Sequence, residues 1–377
     1  MHMNMSEIEN VEFSREEKED EFSNDDLFNI QSWGADPSVR ELISQYEDGD
    51  IIKPELQRNY VWDKKEASRF IESLLLGLPI PSIFLANMAE DKRLIIDGYQ
   101  RLTTLVDYIS KGTWKDTDEP FRLYNSPLIN ERWRNKTYKE LTESDKRRLR
   151  LYSIHAIIFE QKTPNNDSGL YQVFERINTS GKTLNAQEIR NCVYQGDMNT
   201  LLFSLNNNEK WRKLYGNVRP DERMLDMELI LRFFAMCTPD VYNTQKSYVS
   251  LKQTLNKYMS DYVKASESFL EEKRHQFNEV IDFIYSHFDE NAFFNLQNDF
   301  SKYRKKMYAT IFDSLMIGTS IALERGYSDT EENLNEKKEA LVRNQEYRDC
   351  ITSGTMQSVN IRKRISLVLS EIYGLEL

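Results

Sequence analysis

LIIDGYQRLTTLVDYIS, residues 94–110, carries an apolar strand through Asp97-Gly98-Tyr99-Gln100-Arg101 and directly on into a helix. Leu102, Leu105, Val106 and Ile109 recur at helical spacing and give that helix its buried stripe. A helix that opens on glycine behind a strand leaves backbone N–H groups without partners inside the helix. They sit at the positive end of the helix dipole, where an anion is favoured. Gly98 has no Cβ to hold a ligand off, and Arg101 brings a planar fork of donors suited to phosphate oxygens. Taken alone, the junction is a short anion cradle of general kind.

Working outward, Asp36-Pro37 predicts an N-cap and first helical position ahead of a stripe of Val39, Leu42 and Ile43. Ile51-Ile52 reads as a short strand leading into Pro54-Glu55-Leu56-Gln57-Arg58-Asn59-Tyr60-Val61-Trp62. Asp63 with Glu66 forms a capping box for a helix buried through Ala67, Phe70, Ile71, Leu74 and Leu75. Gly77 ends that helix, and Pro79 and Pro81 block its continuation. Strands are predicted at 82–87, 93–97, 121–124 and 154–159. Beyond about residue 160 the period is helical, over 169–177, 186–195, 222–236, 248–269, 299–323, 330–343 and 356–373. The expected fold class is α+β: a mixed domain over 31–160, then an all-α domain over 161–377.

The 377 residues are 40% hydrophobic and 29% charged, the composition of an ordinary soluble globular protein. No apolar run is long enough to span a membrane, and no signal-peptide pattern opens the chain, so the cytoplasm is the expected location. Cys192, Cys237 and Cys350 are few and far apart, which fits reduced thiols rather than a disulfide framework. The four histidines lie in no metal-binding spacing. Of the net charge of −11, most comes from residues 1–30, where ten acids from Glu7 to Asp26 face only Arg15 and Lys18. That stretch is expected to be a solvated, disordered arm. The remainder is close to neutral, so nucleic acid stays open as a partner.

Three blocks carry a resemblance. They are Pro54-x-Leu56-Gln57-Arg58-x-Tyr60-Val61-Trp62 with the helix end Leu76-Gly77-Leu78-Pro79-Ile80-Pro81; the strand followed by Asp97-Gly98-Tyr99-Gln100-Arg101-Leu102-Thr103-Thr104-Leu105; and Phe174-Glu175-Arg176-Ile177-Asn178-Thr179-Ser180-Gly181 through Leu184–Asn191. Together they resemble the N-terminal domain family of GmrSD-type restriction endonucleases. The resemblance implies a ParB/sulfiredoxin-like fold that binds nucleotide or DNA, and a role in bacterial defence against phage with modified DNA. It implies that Asp97, Gly98, Gln100 and Arg101 line a nucleotide-phosphate site, with Gln57 and Arg58 facing it and Arg176 and Asn178 beside it. The implied ligand is an NTP with magnesium, Asp97 holding the ion or orienting water, and Asp97, Gln100 and Arg101 forming the catalytic set. One position departs: the family has glutamine where Tyr99 stands, so binding is expected ahead of hydrolysis. Tyr99 either stacks on a base or points into the core. A buried Arg58–Asp97 salt bridge is the structural alternative for that pair.

Ser180-Gly181-Lys182-Thr183 is not a Walker A loop, because Arg176 stands where its first glycine belongs and a helix precedes it instead of a strand. Asn185 and Glu188 instead read as the cap of a following helix. Basic clusters at 132–150, at Lys302, Arg304, Lys305 and Lys306, and at Arg362, Lys363 and Arg364 are candidate DNA contacts, with Arg147, Arg148 and Arg150 foremost. Each also reads as a solvated helix face. No His-Asn-His pattern accompanies His275 or His287, so a cutting activity is expected from a separate nuclease or effector protein. A ParB-like module whose anion site takes a DNA phosphate and a protein-interaction scaffold are the two alternatives; a homo-oligomer is compatible with all three.

Overall fold

The computed structural model describes residues 11–18, 29–53, 60, 62–88, 91–115, 117–163, 168–177, 184–328 and 333–377. The chain divides into two compact units. One takes Asp26–Leu184 with Asn191–Val193; the other takes Met1–Asp25, Asn185–Arg190 and Tyr194–Leu377. The mixed unit therefore runs past residue 160, taking in the end of the strand Ala156–Thr163 and the helix Ser168–Ile177.

In chain order the first elements are β1 (Val11–Glu12) and α1 (Arg15–Lys18). The sheet unit follows with β2 (Asn29–Ala35), α2 (Val39–Glu47), β3 (Ile51–Ile52), α3 (Lys64–Leu76), β4 (Ile83–Asn87) and β5 (Arg93–Asp97). It continues with α4 (Tyr99–Leu105), which runs on as a π-helical turn over Val106–Lys111, then α5 (Glu143–Leu151), β6 (Ala156–Thr163) and α6 (Ser168–Ile177). The local signals explain these bounds. Asp63 and Glu66 close the capping box on α3, and Gly77 ends it at φ 74°, a left-handed conformation that glycine adopts without a Cβ penalty. For α2 the cap is Ser38 with Glu41, two residues beyond the predicted Asp36. Asp36 instead holds the ring of His155, 2.8 Å away.

The five strands lie in the order β2-β6-β4-β5-β3. β6 pairs antiparallel with β2 and parallel with β4, β4 pairs antiparallel with β5, and β3 pairs parallel with β5. A register shift between Phe84 and Leu85 sets Asp97 opposite Phe84 at the end of the ladder. Ile83, Leu85, Ile95 and Ile158 of the sheet pack with Leu74 of α3 and Leu102 of α4 in one core. Residues 121–124 form no strand: Phe121 and Leu123 are buried, but Leu123 pairs only with the turn at Asn135 and Lys136. Against β6, α6 comes close enough that a Cβ on Gly169 would meet Gln161 Oε1 at 2.6 Å.

The other unit is mainly helical, and its long helices include Leu225–Met236, Glu267–His287, Ala309–Glu324 and Ser358–Val368. It also holds a small sheet in the order β1-β8-β7, where β7 is Phe294–Leu296 and β8 is Tyr303–Tyr308. The helix expected from residue 299 thus starts only at Ala309. Tyr303 and Met307 do stand at helical spacing, but this stretch pairs with β1 on one side and β7 on the other, and Met307 is the buried residue of a strand. Residues 11–18 depart from the expected arm, since they are docked in this unit with Val11 fully buried and Glu17 only 2% exposed at its side chain. Among the described residues no helix is long and apolar enough to cross a membrane, and Cys192, Cys237 and Cys350 are free thiols.

Candidate functional site

Asp97 closes β5, Gly98 turns the chain at φ 107°, and α4 begins at Tyr99. Only glycine fits at this turn. The conformation is left-handed, and a Cβ there would lie 2.5 Å from Ile83 Cγ2 and 3.5 Å from an Arg101 nitrogen. The missing Cβ therefore faces packed protein, so it is the neighbouring strand rather than a ligand that demands glycine. Gly98→Ala is expected to destabilise the sheet unit by about 3 kcal/mol, from the left-handed backbone and the overpacked contact together. A thermal melt of the variant checks this.

Arg101 is 8% exposed, and both terminal nitrogens of its guanidinium are engaged on the inside. Nη1 donates to the Pro81 carbonyl at 2.6 Å and to the Ser82 carbonyl at 3.1 Å, and Nη2 donates to Asp97 Oδ2 at 2.6 Å. It acts as a strut that ties the β5–α4 turn to the entry of β4. Three of its five N–H donors thus hold two carbonyls and a carboxylate. Asp97 is the outward member of the pair, with 43% of its side chain exposed. No hydrogen bond to its second oxygen, Oδ1, occurs among the described residues.

Tyr99 is 8% exposed and belongs to the core. Gln100 Oε1 accepts the Trp62 N–H at 3.2 Å, so this side chain tethers the preceding segment to α4. Tyr60 adds a second tether. Thr104 Oγ1 donates to the Gln100 carbonyl at 2.7 Å, so Tyr60 supplies the proton in its own 2.7 Å bond to Thr104. Burial pushes the Tyr60 phenol well above the usual range and keeps that proton in place. Beyond it Tyr60 and Trp114 meet edge to face, and the Lys115 ammonium lies over both rings at 5.4 and 5.2 Å. Gln57, Arg58 and Asn178 lie outside the described residues. Arg176 is exposed in the last turn of α6.

Of the predicted DNA contacts, Arg147, Arg148 and Arg150 of α5 are all exposed, and Arg148 also donates to the Leu75 carbonyl at the C-terminal end of α3, 2.7 Å away. Nearby, Arg132 is spent on Asp145 and Lys146 on Glu143. Arg364 is not a surface residue at all, being 0% exposed. Sequence reasoning missed the Pro81–Ser82 carbonyls and the Trp62 tether. The only signal for the first was the Pro79-x-Pro81 spacing, which fixes the backbone before β4. Among the described residues no group of three or more His, Cys, Asp or Glu could hold a metal ion.

A mixed five-stranded sheet with helices packed on it, its strand-to-helix turn tied from inside by an arginine, defines an α+β architecture. Residues 39–195 match the family model of the GmrSD restriction endonuclease, N-terminal domain, and this part of the chain belongs to that family. The match covers less than half of the chain and spans all three sequence blocks. No curated protein matches the chain.

Proposed function

We propose that this protein is a component of a DNA restriction system whose GmrSD-type domain binds a nucleoside triphosphate at the β5–α4 turn. The observation that supports the reading is Asp97: one oxygen is pinned by the buried Arg101 and the other faces outward beside the first turn of α4. Mg2+ is usually held by one or two carboxylates together with substrate phosphates, and an outward Asp97 fits the role of that carboxylate. When bound, the ion would neutralise phosphate charge. The chain's own part is to hold Asp97 rigidly at the N-terminal end of α4, where a helix dipole favours an anion. Gln57 and Arg58 remain proposed partners on the segment that follows β3, and Arg176 and Asn178 on the segment from α6. Binding is the activity proposed, not hydrolysis, because Tyr99 is packed in the core and Gln100 is engaged with Trp62. DNA is the proposed target of the system, and cutting falls to a separate nuclease or effector.

Isothermal titration of the full chain with GTP, ATP, CTP and UTP, with and without Mg2+, tests this. Asp97→Asn keeps an oxygen for Arg101 but removes the charge. It is expected to weaken binding at least about tenfold and abolish its dependence on Mg2+. Failure of all four nucleotides to bind folded protein would sink the reading. The competing reading is a DNA-binding module, which the exposed Arg147 and Arg150 favour. Duplex binding would then fall steeply with salt, be lost in Arg147→Gln/Arg150→Gln, and ignore Asp97→Asn.

A further inference from the structure

The helical unit holds an acidic peptide of its own chain in a site built to receive it. β1 pairs parallel with β8 through Val11 opposite Met307 and Glu12 opposite Tyr308. Tyr308 donates its hydroxyl proton to Glu12 at 3.1 Å. Ser14 meets the Thr355 hydroxyl at 2.7 Å. Glu16 accepts the backbone N–H of Gly354 at 2.7 Å and that of Met356 at 3.5 Å. Glu17 enters deepest: Oε2 accepts its own Ser14 N–H at 2.7 Å, and Oε1 accepts Arg232 Nη2 at 2.6 Å. The Phe13 ring lies 5.6 Å from the Arg232 guanidinium.

The slot behind Glu17 offers more donors than its occupant uses. Arg232 and Arg364 are both 0% exposed, and Asp313 beside them is 1% exposed. Arg232 Nη1, Arg364 Nε and Arg364 Nη2 are buried without a hydrogen bond. Two buried guanidiniums against the one carboxylate fixed in the helices, Asp313, leave an excess positive charge, and a carboxylate from outside must balance it. A strand edge for backbone pairing, two amides for one side-chain carboxylate and an arginine for the next, with a second buried arginine behind it, make a recognition site for an extended acidic segment.

We propose that this groove is an acidic-peptide docking site, and that residues 11–18 are its built-in, exchangeable occupant. The peptide it takes has the pattern of Val11-Glu12-Phe13-Ser14-x-Glu16-Glu17: an apolar residue at the strand edge, an aromatic over Arg232, and two successive carboxylates. While attached, the segment holds the site at high effective concentration and shuts out competitors. The test is fluorescence anisotropy with a labelled synthetic peptide of residues 9–20 and the full chain. Glu17→Ala in the chain weakens its own segment and opens the groove. Glu16→Ala, which removes only the two amide contacts, serves as the second variant should the first fail to fold. The peptide is expected to bind both folded variants at least roughly tenfold more tightly than it binds the parent chain. A peptide carrying Glu17→Gln should bind neither. The proposal is overturned if the peptide binds the parent chain as tightly as the variants, or binds neither variant while circular dichroism shows both folded.

Discussion

Replacing Asp313 by alanine is expected to cost about 3–5 kcal/mol, the typical loss when one member of a buried charge cluster is removed and its partners stay behind. Asp313 accepts Arg232 Nε at 3.0 Å and Nη2 as well, and lies 3.8 Å from Arg364 Nη2. Without it two fully buried guanidiniums face Glu17 alone, and no water reaches them to screen the excess charge. The double variant Arg232→Met/Asp313→Leu is expected to lose less than Asp313→Ala, since it removes charges in pairs. Because the chain has two compact units, the measurement is hydrogen exchange along Leu225–Met236 rather than one global melt. Acid gives an independent reading. Burial alone would raise the Glu17 carboxyl, but Arg232 outweighs it and holds the group below its ordinary 4.5. The stability Glu17 contributes is therefore complete above about pH 4.5 and is lost as pH falls through its depressed native value. Glu17→Gln should flatten that acid limb.

The same cluster shows where sequence reasoning ends. Ten acids in thirty residues read as a solvated arm because charge density normally forbids burial. What reverses that for Glu17 is an arginine 215 positions away, a separation no local pattern reports. β8 was hidden for a related reason: Arg304, Lys305 and Lys306 look like a basic helix face until β1 and β7 supply partners for the strand. Features governed by the nearest few residues were legible. The Asp63–Glu66 and Asn185–Glu188 capping boxes formed as read, as did the left-handed stop at Gly77 and the strand–turn–helix at Asp97. The family was legible as well, since its three blocks are ordered motifs in the chain itself.

At the candidate site the motif was legible while the direction of each side chain was not. Asp97-Gly98-Tyr99-Gln100-Arg101 suggested four groups lining one phosphate site, with Tyr99 open between a base and the core. In the fold Tyr99 packs inward, Gln100 holds Trp62, and Gly98 makes room for Ile83. A motif can thus mark a functional place while most of its residues work to build that place. Only burial and partners separate the two roles.

That separation is sharpest at Arg101. Arg101→Ala is expected to lose nucleotide binding together with the fold of the sheet unit, rather than binding alone. The substitution removes donors to the Pro81 and Ser82 carbonyls and to Asp97 Oδ2, in a position 8% exposed. Each of these part-buried bonds contributes about 1 kcal/mol, and the Asp97 carboxylate loses the group that orients it. A loss of about 2–4 kcal/mol follows. Arg101→Lys should recover part of it, since one ammonium can reach a carbonyl or the carboxylate but cannot span all three as the planar fork does. Asp97→Asn separates structure from function, because the amide oxygen still accepts from Arg101 and the melt should stay close to the parent's. The diagnostic result is a pair: Asp97→Asn folded and weak in binding, Arg101→Ala weak in both. If Arg101→Ala melts like the parent and only binding is lost, the guanidinium serves the ligand instead, and its bonds to Pro81, Ser82 and Asp97 are dispensable to the fold.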